Sequence, residues 1–241
     1  MFQNLFKNMG DITKNLLIIN ILFFVAKVVF EARGIDLGKM LGLHYPGSQY
    51  FEPYQIATHF FMHANFRHIL FNMLGLVIMG SHLERYWGSK RYLIFYFVTA
   101  LGAAFLHFSV QAYEVFQATG ELFPNVSIDY IEGNTVFFNS PLPKGADSVL
   151  EIFIIPTVGA SGAIYGLILA FAMLFPNTEF LLYFAIPVKA KWLAIGLGVY
   201  ALYSGIQDAQ GDSVAHFAHL GGMLFGFILI KIWQKNRRKF Y

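Results

Sequence analysis

Four polar side chains in an otherwise apolar chain of 241 residues have the types and spacing that acyl transfer requires. Ser161 stands between glycines in Val158-Gly159-Ala160-Ser161-Gly162-Ala163-Ile164-Tyr165-Gly166 and opens an apolar run. His219 lies in Ala218-His219-Leu220-Gly221-Gly222-Met223-Leu224-Phe225-Gly226, and His68 and Asn72, at i and i+4, share one helix face. Attack on a peptide carbonyl needs a nucleophile beside a base, and Ser161 with His219 would supply them. A serine at a helix start sets its own N–H and its neighbours' near the developing oxyanion, where the helix dipole favours negative charge. Gly159 allows the backbone to reach that turn. His68 and Asn72 add side-chain donors, each worth about 2.7–4 kcal/mol if they behave as oxyanion-hole donors do elsewhere. No carboxylate stands near a span end where it could orient His219, so a Ser-His dyad is expected. Tyr165, one turn after Ser161, is a candidate ring for His219 to pack against. The chain has no cysteine, which excludes a thiolate nucleophile and cysteine-ligated metal centres.

Each pattern alone has a plainer explanation. Gly-x-Ser-Gly in an apolar helix is a packing motif, a histidine in a span can simply bond a neighbouring helix, and Gly222 with Gly226 has the GxxxG spacing of close helix contact. It is their combination on three spans that points to chemistry. His59 and His63, also at i and i+4, have the spacing of helical zinc ligands. No acidic residue lies in that stretch, so they are expected to satisfy polar contacts at a loop-to-helix junction. His216 competes with His219 as the base, but Leu220-Gly221-Gly222 favours His219 because the glycines let its helix approach that of Ser161.

The elements that must position these groups are membrane spans. The chain is 56% hydrophobic and only 13% charged, against about 25% charged in soluble domains, with a mean hydropathy of +0.53. A span needs about 20 mostly apolar residues. Six segments come close: residues 16–30, 69–82, 92–113, a helix near 159–175 within the uncharged run 152–178, 192–206, and 213–230. The fifth is short and could extend back through 181–188. The first follows Lys7 and Lys14 but lacks a small-x-small cleavage site, so it is read as a retained span.

With six spans, one side collects 12 of the 17 basic residues against only Asp11, Glu84 and Glu179, a net +9, and the remainder is −6. Positive flanks are cytoplasmic, so both termini are expected there. The fold class is thus an all-α membrane protein. Its expected layout is a short cytoplasmic segment at 1–13, one membrane domain at 14–233 with extracytoplasmic loops at about 31–66 and 114–150, and a basic cytoplasmic tail at 234–241. That tail reads as a stop-transfer anchor rather than a nucleic-acid patch, and Glu84 and Arg85 at a cytoplasmic span end read as structural. A transporter would need ionisable residues deep in several spans; only Lys27 qualifies.

From about residue 54 onward the chain resembles the rhomboids, a family of intramembrane serine proteases. The resemblance rests on GASG at 159–162, AHLGG at 218–222 with the further Gly226, and HILFN at 68–72. It implies a six-transmembrane-helix bundle with Ser161 as nucleophile, His219 as general base and then acid, and His68 and Asn72 as oxyanion stabilisers. Gly159, Gly162, Tyr165, Gly222 and Gly226 are the implied supporting residues, and no metal or cofactor is implied. The implied partners are the lipid bilayer and transmembrane protein substrates, cut near the extracytoplasmic face at sites with small residues and helix-destabilising neighbours. Where many members carry Trp-Arg before the second span, this chain reads Tyr54-Gln55. The segment between the third and fourth spans is also longer than in small bacterial members, with capping the site or restricting substrates as its candidate roles. The alternative from another class is an inactive rhomboid-like adaptor that binds membrane clients without cleavage. Such proteins typically lack the serine or the histidine, and this chain keeps both. The expected address is a bacterial inner membrane.

Overall fold

The computed structural model describes residues 9–132, 135–182, 186–207 and 216–237. It is mostly helical. Four helical stretches are long and apolar enough to cross a membrane: Asp11–Glu31, Phe66–Trp87, Ser89–Thr119 and His216–Lys235. The first is α1 (Asp11–Glu31), followed by two short helices, α2 (Leu37–Leu41) and α3 (Gln55–Thr58). The second stretch is α4 (Phe66–Gly75), a wide π turn at Leu76–Gly80, and α5 (Ser81–Trp87). The third is α6 (Ser89–Thr119), which runs six residues past the expected end at 113.

The fourth expected span is α8 (Ser161–Leu174), preceded by the short α7 (Leu150–Ile154). At 1.5 Å per residue the 14 residues of α8 cover about 21 Å, less than the roughly 30 Å hydrocarbon thickness. Nine of those 14 residues are buried, because the helix is apolar all round and is enclosed by its neighbours. The fifth expected span is α9 (Ala190–Gln207). It does not extend back through 181–188. The described residues of that stretch lie instead in two antiparallel strands, β3 (Glu179–Leu182) and β4 (Ile186–Lys189), with Glu179 opposite Lys189. Pro187 within it removes a helix donor and disfavours helical continuation. Last comes α10 (His216–Arg237), so residues expected in the basic tail from 234 continue the helix to 237. The remaining tail residues, 238–241, and the first eight residues lie outside the described ones.

The main core joins Leu76, Leu83, Tyr92, Phe95 and Tyr96 to Leu167 and Phe171 of α8. The central crossing is set by small residues. A Cβ on Gly222 of α10 would collide with the carbonyl group of Gly162 in α8, and one on Gly162 would collide with Ala103 of α6. Three helices therefore meet almost backbone to backbone.

Glu84 behaves as the structural residue its position suggested. Its buried carboxylate accepts hydrogen bonds from the Ile12 N–H (3.0 Å), the Thr13 N–H (2.9 Å), the Thr13 hydroxyl (2.8 Å) and the Ser89 hydroxyl (2.8 Å). It caps the first turn of α1, whose N-cap Gly10 has no side chain to do so. Stranding a buried donor costs about 1–3 kcal/mol. Glu84→Ala is therefore expected to lower stability by about 2 kcal/mol or more, read as a lower melting temperature in detergent. Glu84→Gln, which keeps one acceptor oxygen, should recover part of the loss.

The two long loops form a second, smaller core of Tyr45, Val115, Val126, Ile128, Ala146 and Phe153. Within it β1 (Ile128–Glu132) pairs antiparallel with β2 (Thr135–Phe138). Between the loops, the Tyr45 hydroxyl donates to the Leu122 carbonyl (2.6 Å) and the Ser48 hydroxyl to the Phe153 carbonyl (2.5 Å). Gln49 exchanges two bonds with the backbone of Ile128. Gln55 is buried and ties its own loop, accepting from the N–H groups of His44 and Glu52 and donating to the carbonyls of Met40 and Tyr50. Its neighbour Tyr54 is exposed. The loop is thus anchored by the amide of Gln55.

Candidate active site

Three helix N-termini deliver the polar residues picked out in the sequence. His68 is the third residue of α4, Ser161 the first of α8 and His219 the fourth of α10. The Asn65 side chain caps α4 by accepting the His68 N–H at 2.9 Å. The N-cap Ala160 makes no side-chain cap bond to α8, so the first-turn N–H groups lack that acceptor.

Ser161 Oγ and His219 Nε2 are 3.0 Å apart. Tyr165 stacks flat on the His219 ring, with centroids at 4.0 Å and planes 3° apart. His219 Nδ1 is buried and has no partner, carboxylate or other, among the described residues. His216 meets His219 edge to face at 6.2 Å and Tyr200 at 5.9 Å. The histidine within hydrogen-bond reach of the serine hydroxyl is His219.

Gly159 has φ +123°, and a Cβ there would sit 2.8 Å from both Cε1 and Nε2 of His68. The Nε2 edge of His68 therefore faces the turn that leads into Ser161. The Ala64 N–H approaches His68 Nδ1 at 3.4 Å. With Nδ1 accepting, the proton of the neutral ring belongs on Nε2, the atom facing the serine turn. Asn72 is 5% exposed, and its Nδ2 has no acceptor among the described residues. These groups line a cavity of about 640 Å³ that also includes Arg67, His107, Gln111, Glu114 and Glu151.

The turn before Ser161 is clamped from two sides. Leu43 and Thr157 exchange backbone hydrogen bonds at 2.9 Å each, and the Gly159 N–H donates to the His59 carbonyl at 2.9 Å. The Thr157 hydroxyl lies 2.8 Å from His107 Nε2. The sequence reading missed these contacts. For His107 the only available signal was an imidazole inside an apolar span, and no pattern pointed to Leu43.

Among the described residues His59 and His63 do not converge with a third ligand. The His59 ring packs on Phe60 and its Nδ1 lies 2.8 Å from the Gln55 carbonyl. His63 Nδ1 lies 3.3 Å from the Phe61 carbonyl, and its ring meets His68 edge to face at 5.1 Å. Burial pulls both down to about 4 from the ordinary histidine range, helped for His63 by the neighbouring His68. Both are then neutral near pH 7. Among the described residues no group of three or more His, Asp or Glu is arranged to hold a metal ion.

The chain is similar to several known proteins over this region. It is 28% identical to RHOMBOID-like protein 12, mitochondrial, of Arabidopsis thaliana over 77% of this chain and 48% of that protein. It is 26% identical to Rhomboid-like protein 16, chloroplastic, of the same plant over 76% of this chain and 49% of that protein. To Rhomboid protease GlpG of Yersinia pestis (strain Pestoides F) it is 27% identical, over 70% of this chain and 65% of that protein. The chain thus spans about half the length of the plant relatives it matches. The Rhomboid domain matches residues 50–236. That match takes in Ser161, His219, His68 and Asn72 and most of the chain, which therefore belongs to the rhomboid family.

Proposed function

We propose that this chain is a serine endopeptidase that cleaves membrane-anchored proteins within the bilayer, near its extracytoplasmic face. The observation that carries the reading is the 3.0 Å approach of Ser161 Oγ to His219 Nε2, between helices held together at Gly162 and Gly222. In the proposed reaction His219 Nε2 takes the hydroxyl proton as Ser161 Oγ attacks the scissile carbonyl carbon. The negative oxygen of the tetrahedral intermediate is met by N–H groups of the α8 first turn, by His68 Nε2–H and by Asn72 Nδ2–H. Imidazolium at His219 then protonates the leaving amine as the C–N bond breaks. Water, entering by the cavity, attacks the acyl-serine with His219 again as base, releasing the carboxylate and restoring the hydroxyl.

In the same proposal the six spans are α1, α4–α5, α6, α8, α9 and α10, with both termini cytoplasmic. A span as short as α8, 14 residues, supports the proposed position of Ser161 below the outer membrane boundary. Residues 14–233 then form the membrane domain, and a bacterial cell membrane is its proposed address.

The test is purified protein in liposomes with several single-span substrates and mapping of the products. Cleavage near the outer boundary is expected, with His216→Ala retaining more activity than His219→Ala. Binding without cleavage of every substrate would favour the adaptor reading. The reverse order of the two histidine variants would move the base to His216.

A further inference from the structure

Lys27, the ionisable residue of the first span, is not used by the proposed chemistry. It lies one turn before Glu31, the last residue of α1, where a lysine at a membrane boundary ordinarily extends its ammonium to water. Here the side chain is only 13% exposed, against 57% for Glu31. Its Nζ donates to the Glu31 carboxylate at 3.1 Å and, across 37 positions of chain, to the backbone carbonyl of Ala64 at 3.2 Å. An i, i+4 ion pair at a surface adds little. A backbone carbonyl held by a cation is a stronger, charge-assisted bond, and this one fixes the segment that leads into α4.

Ala64 stands where His68 is oriented. Its N–H approaches His68 Nδ1 at 3.4 Å, and the next residue, Asn65, accepts the His68 N–H through its side chain (2.9 Å) and the Ile69 N–H through its carbonyl (3.2 Å). Backbone and ring of His68 are thus both tied to residues 64 and 65, and Lys27 ties residue 64 to α1. The Phe23 ring of α1 also meets Phe61, at 5.4 Å, which packs the junction without directing its polar groups. A neutral imidazole has two tautomers, one ring nitrogen donating and the other accepting. An N–H aimed at Nδ1 favours the proton on Nε2, the nitrogen that faces the serine turn at Gly159. With residue 64 released the proton can move to Nδ1, and an accepting Nε2 gives an oxyanion no support.

We propose that Lys27 is a positioning residue, whose bond to the Ala64 carbonyl holds the junction that keeps His68 Nε2–H turned toward the developing oxyanion. The inference rests on the protease reading and gives α1, whose residues do not line the cavity, a part in the reaction.

The experiment compares the full chain with Lys27→Met, His68→Ala and the double variant, in liposomes with a single-span substrate. Lys27→Met leaves the oxyanion donor in place but unheld, so kcat should fall about tenfold, less than the roughly 10²–10³-fold that loss of a donor costs. KM should change little, because the contact matters only as charge develops. The double variant should be no slower than His68→Ala alone. Glu31→Gln, which spares the Ala64 contact, should stay near the parent rate. A Lys27→Met loss that multiplies with that of His68→Ala, an unchanged kcat, or an equal loss in Glu31→Gln overturns the inference. A second readout needs no turnover: ¹⁵N shifts of the His68 ring in detergent micelles, assigned with His68→Ala, report which nitrogen carries the proton. The parent should show Nε2–H and Lys27→Met a raised share of Nδ1–H, and the same tautomer in both overturns the inference. Cleavage by the parent with no change of tautomer in Lys27→Met removes the inference and leaves the protease reading standing. The expected tautomer change in a parent that cleaves nothing supports the positioning and contradicts the protease reading.

Discussion

Ser161→Ala is expected to cut the turnover of a transmembrane substrate in liposomes by at least about 10⁴-fold, and His219→Ala by a similar factor. The two groups act as a unit: without the imidazole the hydroxyl keeps its proton, and without the hydroxyl the imidazole has nothing to activate. Losses at such paired residues are grossly non-additive. The double variant should therefore be scarcely slower than either single one. Ser161→Ala removes one oxygen from a partly buried position, so its melting temperature should stay close to that of the parent. Turnover measured alongside thermal unfolding separates this from a folding defect. Losses that multiply in the double variant would show that the two side chains act independently.

The second large effect is expected from a single methyl group on a residue that takes no part in the proposed chemistry. A Cβ on Gly222 would collide with the Gly162 carbonyl, so Gly222→Ala must push α10 away from α8. His219, one turn earlier on α10, would then leave the 3.0 Å contact with Ser161. Displacements of about 1 Å cost on the order of 10²-fold in rate. A loss of at least about that size in kcat/KM is expected, with a lower melting temperature. The neighbouring glycines grade the effect. At Gly226 a Cβ would find its nearest atoms 3.1 to 3.5 Å away, at Phe95, Thr99 and Gly166, and at Gly196 it would meet nothing within 4 Å. Activity should follow the order Gly196→Ala, Gly226→Ala, Gly222→Ala from least to most affected. Equal activity for all three would mean that helix separation does not set the serine–histidine distance.

The chemistry-bearing residues were the most legible part of the sequence, because polar groups in an apolar chain must be justified by contacts. Ser161 lies beside His219 and Tyr165 stacks on that ring; the one-turn step from Ser161 to Tyr165 is a local signal, whereas the pairing with His219 was expected from the combined chemistry and the family resemblance. His68 and Asn72 reach the same cavity. The span boundaries were less legible. Hydropathy does not distinguish a helix from the paired strands at 179–182 and 186–189, and it does not show that α6 runs on to Thr119. The loop architecture was least legible. The bridge between Leu43 and Thr157 joins residues 114 positions apart in sequence, and no periodicity encodes such a pairing. Gln55 was visible as a departure from Trp-Arg, but its four hydrogen bonds depend on where the loop backbone places its carbonyl and amide groups.

The central claim is that Ser161 is a nucleophile activated by His219. It is tested most directly by reaction with a serine-directed fluorophosphonate in membranes, followed by peptide mass spectrometry. The prediction is one adduct per chain, on the Ser161 peptide, with labelling absent in Ser161→Ala and strongly slowed in His219→Ala. An adduct on another residue, or undiminished labelling of Ser161→Ala, would contradict it.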